Sequence, residues 1–116
     1  MTIQANEKRD CTVKALAAVA QIEYDQAHSI AKQAGRKDGR KFSSAELINH
    51  AEANGFAFTK LPLRKATLGT FLKTNQEGRF YVRKNGHAFA VIDGEVSDKT
   101  SLRVIVKTAW QLKQAA

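Results

Sequence analysis

The chain has 116 residues, enough for one ordinary domain (1–116) and too few for two. With 43% apolar and 26% charged side chains it has a globular composition, and its longest apolar run, Ala15 to Ala20, is far short of the roughly 20 residues of a membrane-spanning helix, so no membrane partner is expected. The balance of 19 basic against 11 acidic side chains, a net charge of +8, suits an acidic partner, either nucleic acid or an acidic protein surface, and equally suits a merely well-solvated surface.

The opening string MTIQANEKRD lacks an apolar core segment, so no secretory signal peptide is expected. Cys11, the one cysteine, excludes an intrachain disulfide and a multi-cysteine zinc site, and a reducing cytoplasmic setting follows as the expectation. Asp10 is a good N-cap for a helix from Cys11 to about Ala20, with Val13, Leu16, Ala17 and Ala20 on one face. A second helix is predicted from about Tyr24 to Ala34, with Ala27, Ile30, Ala31 and Ala34 as its apolar stripe and Gly35 as its stop. The string RKDGRKF, residues 36–42, reads as a basic loop. Ser43 or Ser44 then caps a third helix carrying Leu47, Ile48 and Ala51 and ending at Gly55.

A short strand is predicted from Phe56 to Leu61, before Pro62, the sole proline. Thr67 can cap a short fourth helix with Leu68, Phe71 and Leu72 on one side. From Gly78 the apolar period becomes two, giving strands over Arg79–Lys84, His87–Ile92 and Glu95–Asp98. Asn85-Gly86 and Asp93-Gly94 separate them, dipeptides suited to type I′ hairpin turns. Leu102 to Lys107 is expected as a fourth strand, followed by a short tail or helix containing Trp110. Helices first and an antiparallel meander second make an α+β fold, N-terminal helices packed on a C-terminal sheet.

Cys11 stands at a helix start, where backbone N–H groups and the helix dipole favour a thiolate, the nucleophilic form of cysteine. The competing interpretation is a small apolar core residue, the commoner fate of a lone cysteine. A cysteine nucleophile needs a base, and the chain offers three histidines. His28 and His50 fall inside helices, as ordinary surface or partly buried residues. His87 opens a strand directly after a turn, where a side chain can be held rigidly and still reach a substrate; alternatively it merely tolerates the turn exit.

Hairpin register selects a third group. With Asp93-Gly94 as a two-residue turn, Ile92 faces Glu95, Val91 faces Val96 and Phe89 faces Asp98. Side chains alternate, so His87, Phe89 and Val91 share a face with Val96 and Asp98. Asp98 is then diagonal to His87. Asp93 lies six residues along the strand from His87, roughly 20 Å, and Glu95 falls on the opposite face.

The strings DCTVKALAAVA and GHAFAVIDGEVSD together resemble the papain-like cysteine peptidase superfamily, nearest to bacteriocin-processing leader peptidases. There the nucleophile follows an aspartate at a helix start, a histidine opens a strand, and an aspartate on the next strand orients it. The chain is also similar to small phage-encoded proteins of this shape. The resemblance implies a minimal papain-like fold and a Cys11–His87–Asp98 triad acting on a peptide or isopeptide bond of a peptide or protein substrate. The family's oxyanion glutamine, six residues before the cysteine, falls on Ala5, leaving the flanking Gln4 or Asn6 for that role. Thr12 follows the nucleophile where leader peptidases commonly have glycine. Water as acceptor makes a peptidase, isopeptidase or amidase; an amine makes a transferase.

Arg36, Lys37, Arg40 and Lys41 could bind phosphates or rim a cleft for an acidic substrate, or form a solvated interhelical loop. Arg79, Arg83 and Lys84 extend the basic character onto the hairpin near His87. Phe80, Tyr81 and Phe89 suit sheet packing better than base stacking. No Walker loop, dinucleotide glycine fingerprint or clustered metal-ligand spacing occurs, so no cofactor is expected. The alternative to a thiol hydrolase is a non-enzymatic binding protein on the same fold, its basic surface engaging a host protein or nucleic acid.

Overall fold

Ten helical residues, Cys11–Ala20, form α1, and the alanine-rich sequence CTVKALAAVA has the high helix propensity to support them. Thr12, Val13, Ala15, Leu16, Val19 and Ala20 are buried, a broader stripe than sequence spacing indicates, because α1 packs against both α2 and the sheet. Its end is a Schellman turn: Gln21 N–H donates to Ala18 O at 3.3 Å and Ile22 N–H to Ala17 O at 3.0 Å. Gln21 takes the left-handed position at φ 55°, which glycine usually fills.

The computed structural model describes residues 11–35, 43–63, 66–85, 87–97 and 100–114. Helix α2 is Tyr24–Gln33 and α3 is Ser44–Ala53. Ser43 caps α3, its hydroxyl accepting from Glu46 N–H at 3.3 Å. Strand β1 is Ala57–Lys60, and the two residues of β2, Ala66–Thr67, lead into α4, Leu68–Thr74, which Thr67 caps by accepting from Thr70 N–H at 3.2 Å. Then follow β3 (Arg79–Lys84), β4 (His87–Ile92), β5 (Glu95–Val96), β6 (Ile105–Val106) and β7 (Thr108–Gln114).

Five strands form one antiparallel sheet in the order β1-β7-β3-β4-β5, and β2 pairs with β6 in a separate two-stranded sheet. Both hairpins have two-residue turns, with Lys84 facing His87 and Ile92 facing Glu95. The second turn has positive φ at both Asp93 (49°) and Gly94 (82°), the type I′ signature that matches strand twist.

The C-terminal strand overturns one expectation. Residues 108–114 are neither tail nor helix; they form an interior strand between β1 and β3. Alternation explains the placement, since Trp110 and Leu112 join the core under α1 while Ala109 joins the core on the opposite face. The strand expected over 102–107 shrinks to Ile105–Val106, and that expected over 95–98 has Glu95–Val96 as its ladder.

The sheet separates two cores. On one face Val13, Leu16, Val19, Ile30, Leu47 and Tyr81 unite α1, α2 and α3 with the strands. On the other, Leu68, Phe71, Phe80, Val82, Phe89 and Val106 join α4 and the small sheet. Among the described residues the architecture is α+β, four helices and an antiparallel main sheet. No helix among the described residues is long and apolar enough to cross a membrane.

Candidate active site

Cys11 is the first residue of α1, half-buried, and packs against the core formed by the helices and one sheet face. The strand beneath α1 is β4, whose residues Ala88 and Ala90 belong to that same core. Two small side chains on the helix-facing side let α1 lie close to the strand. His87 opens β4, half-buried, so the helix that begins with Cys11 rests on the strand that begins with His87.

Strand alternation assigns His87 to the other face, with Phe89 and Val91. Its ring stacks on Phe89, centroids 6.0 Å apart and planes 30° from parallel. An approach of His87 to Cys11 therefore passes around the end of β4 and not across its helix-facing side.

The remaining histidines are occupied in the helices. His28 is 7% exposed with its ring 5.9 Å from that of Tyr24, and His50 Nδ1 lies 3.3 Å from Glu46 O one turn earlier. Asp93 is also spoken for: its Oδ1 accepts from Gly78 N–H at 2.9 Å, and its own N–H donates to Gly78 O at 2.8 Å. It pins the turn to the start of β3, at the end of β4 remote from His87. The pairing of Val91 with Val96 is the register that the sequence predicts.

Beyond Val96 the ladder changes character. Ser97 N–H still donates to Ala90 O at 2.8 Å, but Ala90 N–H donates to Ser97 Oγ at 2.9 Å, a side-chain oxygen accepting in place of a ladder carbonyl. Asp98 follows this departure and lies outside the described residues, as do Gln4, Asn6, Arg36, Lys37, Arg40 and Lys41.

A buried polar pair that sequence reasoning did not join lies on the helix-covered face of the sheet. Tyr81, fully buried in β3, holds its hydroxyl 2.8 Å from Ser44 Oγ at the start of α3. Burial pushes the Tyr81 phenol well above its ordinary range; the Ser44 hydrogen bond lowers it, Cys11 raises it and Arg83 lowers it. Cys11 and Arg83 are thus within electrostatic reach of that hydroxyl. The faint sequence signal was the doublet Ser43-Ser44: one serine caps the helix, which leaves the other to turn inward. Thr12 Oγ1, beside Cys11, is buried with no hydrogen-bond partner among the described residues.

The basic side chains of β3 divide. Arg83 and Lys84 stand at the His87 end, whereas Arg79 faces Ile92 at the other end of the strand, so it does not extend the basic hairpin. Phe80, Tyr81 and Phe89 are all core residues. Among the described residues no group of three His, Cys, Asp or Glu side chains could hold a metal ion. Compared with protein families, curated proteins and solved structures, the chain matches none.

Proposed function

We propose that this protein is a papain-like thiol hydrolase that cleaves a peptide or isopeptide bond, with Cys11 as nucleophile, His87 as base and Asp98 as the carboxylate that orients it. The observation that carries this proposal is the seating of α1, which starts at Cys11, on β4, which starts at His87. The occupation of Asp93 by Gly78 supports Asp98 as the orienting group by leaving that turn carboxylate to a structural role.

The chemistry then runs in two halves. His87 takes the thiol proton, and the Cys11 thiolate attacks the substrate carbonyl carbon. The oxyanion forms against the backbone N–H of Cys11 and a side-chain amide from Gln4 or Asn6. Collapse breaks the C–N bond, His87 returns its proton to the departing amine, and a thioester remains on Cys11. Water, deprotonated by His87, releases the acid and regenerates the thiol. Asp98 accepts the other ring N–H of His87 throughout and fixes its tautomer.

Alkylation kinetics test the assignment. Iodoacetamide should modify Cys11 rapidly at about pH 6, where an ordinary thiol is almost wholly protonated. His87→Ala should slow that reaction sharply, and His28→Ala and His50→Ala should leave it unchanged. A thiol that reacts only above about pH 8, or that ignores His87, would refute the proposal and leave a binding protein with a structural cysteine.

A further inference from the structure

The charged residues of the main sheet are unevenly distributed along its strands, with carboxylates at one end of β3 and a group of basic residues at the other. Lys84 faces His87 at the closing pair of the β3–β4 hairpin. Arg83, one residue earlier, faces Ala88 on one side and Thr108 on the other, and its carbonyl accepts the Lys107 N–H at 2.8 Å. Arg83, Lys84 and Lys107 are thus gathered around the strand end that His87 opens. Arg83 shares the parity of Tyr81 and is felt at its hydroxyl, on the face that α1 covers. Lys84 shares the parity of Val82, on the other face. Cations therefore flank His87 on both sides of the sheet.

The opposite end is acidic. Glu77 precedes Gly78, Gly78 binds Asp93, and Glu95 faces Ile92, so three carboxylates collect there, with Arg79 and, beyond the Phe80–Gln111 pair, Lys113 of β7 among them. The two ends are five residue steps apart on β3, about 17 Å. That is roughly twice the Debye length at physiological salt, so an approaching charged chain meets each end separately. Among the described residues, Arg83, Lys84 and Lys107 are paired with no carboxylate.

Building on the thiol-hydrolase proposal, we infer that the substrate is an acidic polypeptide, held with Asp or Glu side chains against Arg83, Lys84 and Lys107 while the scissile carbonyl meets Cys11. A nucleic acid fits these observations less well. Strand-tracking sites combine an extended cationic groove with aromatic stacking platforms. Here Arg83, Lys84 and Lys107 form a compact group at one strand end, and Phe80, Tyr81 and Phe89 are at most 1% exposed.

The test uses the full chain as Cys11→Ser, so that binding is measured with hydrolysis switched off. Fluorescence anisotropy would follow a short labelled peptide alternating glutamate and glycine, its glutamine counterpart, and an oligothymidylate of equal charge. The glutamate peptide should bind tightest, and its affinity should fall as salt rises. Lys84→Glu and, separately, the exposed Lys107→Glu should each weaken it about tenfold or more. Arg79→Gln, at the acidic end, should leave it unchanged. Binding indifferent to both reversals, tighter binding of the oligothymidylate, or no preference for glutamate over glutamine would each overturn the inference. Thiol reactivity is read on the wild-type cysteine, so loss of the acidic preference and loss of the hydrolase proposal are separate results.

Discussion

Tyr81→Phe removes a single oxygen from the middle of the sheet and measures what the buried polar pair contributes. Tyr81 is 0% exposed, and its ring meets Trp110 edge-on with centroids 5.6 Å apart. Phenylalanine keeps that ring contact, so the loss is confined to the 2.8 Å bond with Ser44 and to the hydroxyl left behind. An orphaned buried hydroxyl costs about 1–3 kcal/mol. For a domain of this size each kcal/mol corresponds to roughly 3–6 °C in Tm.

The pH dependence sharpens the test. Below about pH 10 the folded and unfolded chains both keep the phenol proton. Above it the unfolded chain releases that proton while the buried phenol retains it, so the unfolded state binds fewer protons and stability falls. The contribution is fully present below about pH 10 and is lost at about 1.4 kcal/mol per pH unit as pH rises toward the elevated folded-state value. Tyr81→Phe lacks this slope. The variant should be less stable at neutral pH, and the gap to wild type should close by about 1.4 kcal/mol per unit above about pH 10. Urea denaturation across this range, followed by the fluorescence of Trp110, the one tryptophan, reads both quantities. Ser44→Ala combined with Tyr81→Phe should cost less than the sum of the single changes, with a coupling of about 1 kcal/mol. Parallel pH curves or strict additivity would refute the reasoning.

Asp98→Ala should slow the alkylation of Cys11 at about pH 6, whereas Asp93→Ala should leave that rate alone and instead lower stability by about 0.5–1.5 kcal/mol through the lost Gly78 bond. Gly94→Ala, at φ 82° with ordinary contacts, should cost about 1 kcal/mol in urea denaturation. Gly78→Ala should cost more, because its φ is 108° and a Cβ there would lie 3.1 Å from the Gln111 amide nitrogen and 3.3 Å from the Phe80 ring. Gln21→Gly should raise stability by about 0.5–1 kcal/mol, seen as a higher Tm, by relieving the left-handed position that closes α1.

The parts of the site that could be read from residues alone are those set by neighbours in sequence. The helix starting at Cys11, the caps at Ser43 and Thr67, and the spans of β3 and β4 all appear where caps, turn dipeptides and apolar period place them. So does the Asp93-Gly94 turn, and with it the pairing of Val91 and Val96. A two-residue turn permits one register, so the pairing was determined locally. The same arithmetic identifies Asp98 as the next candidate after Ser97.

Other features depend on residues far apart in the chain. The run Ala109 to Lys113 consists largely of good helix formers, yet it is an interior strand because β1 and β3 leave an edge each that it fills. Ser44 and Tyr81, 37 positions apart, meet because α3 returns across the sheet, and no local pattern encodes that meeting. The opposite charges of the two sheet ends emerge only when β3, β4 and β7 are laid side by side. Alternation within β4 could be read in advance, but which of its faces receives α1 is decided by Ala88 and Ala90. Those small side chains allow close helix packing, and they put His87, by alternation, on the other face of the strand.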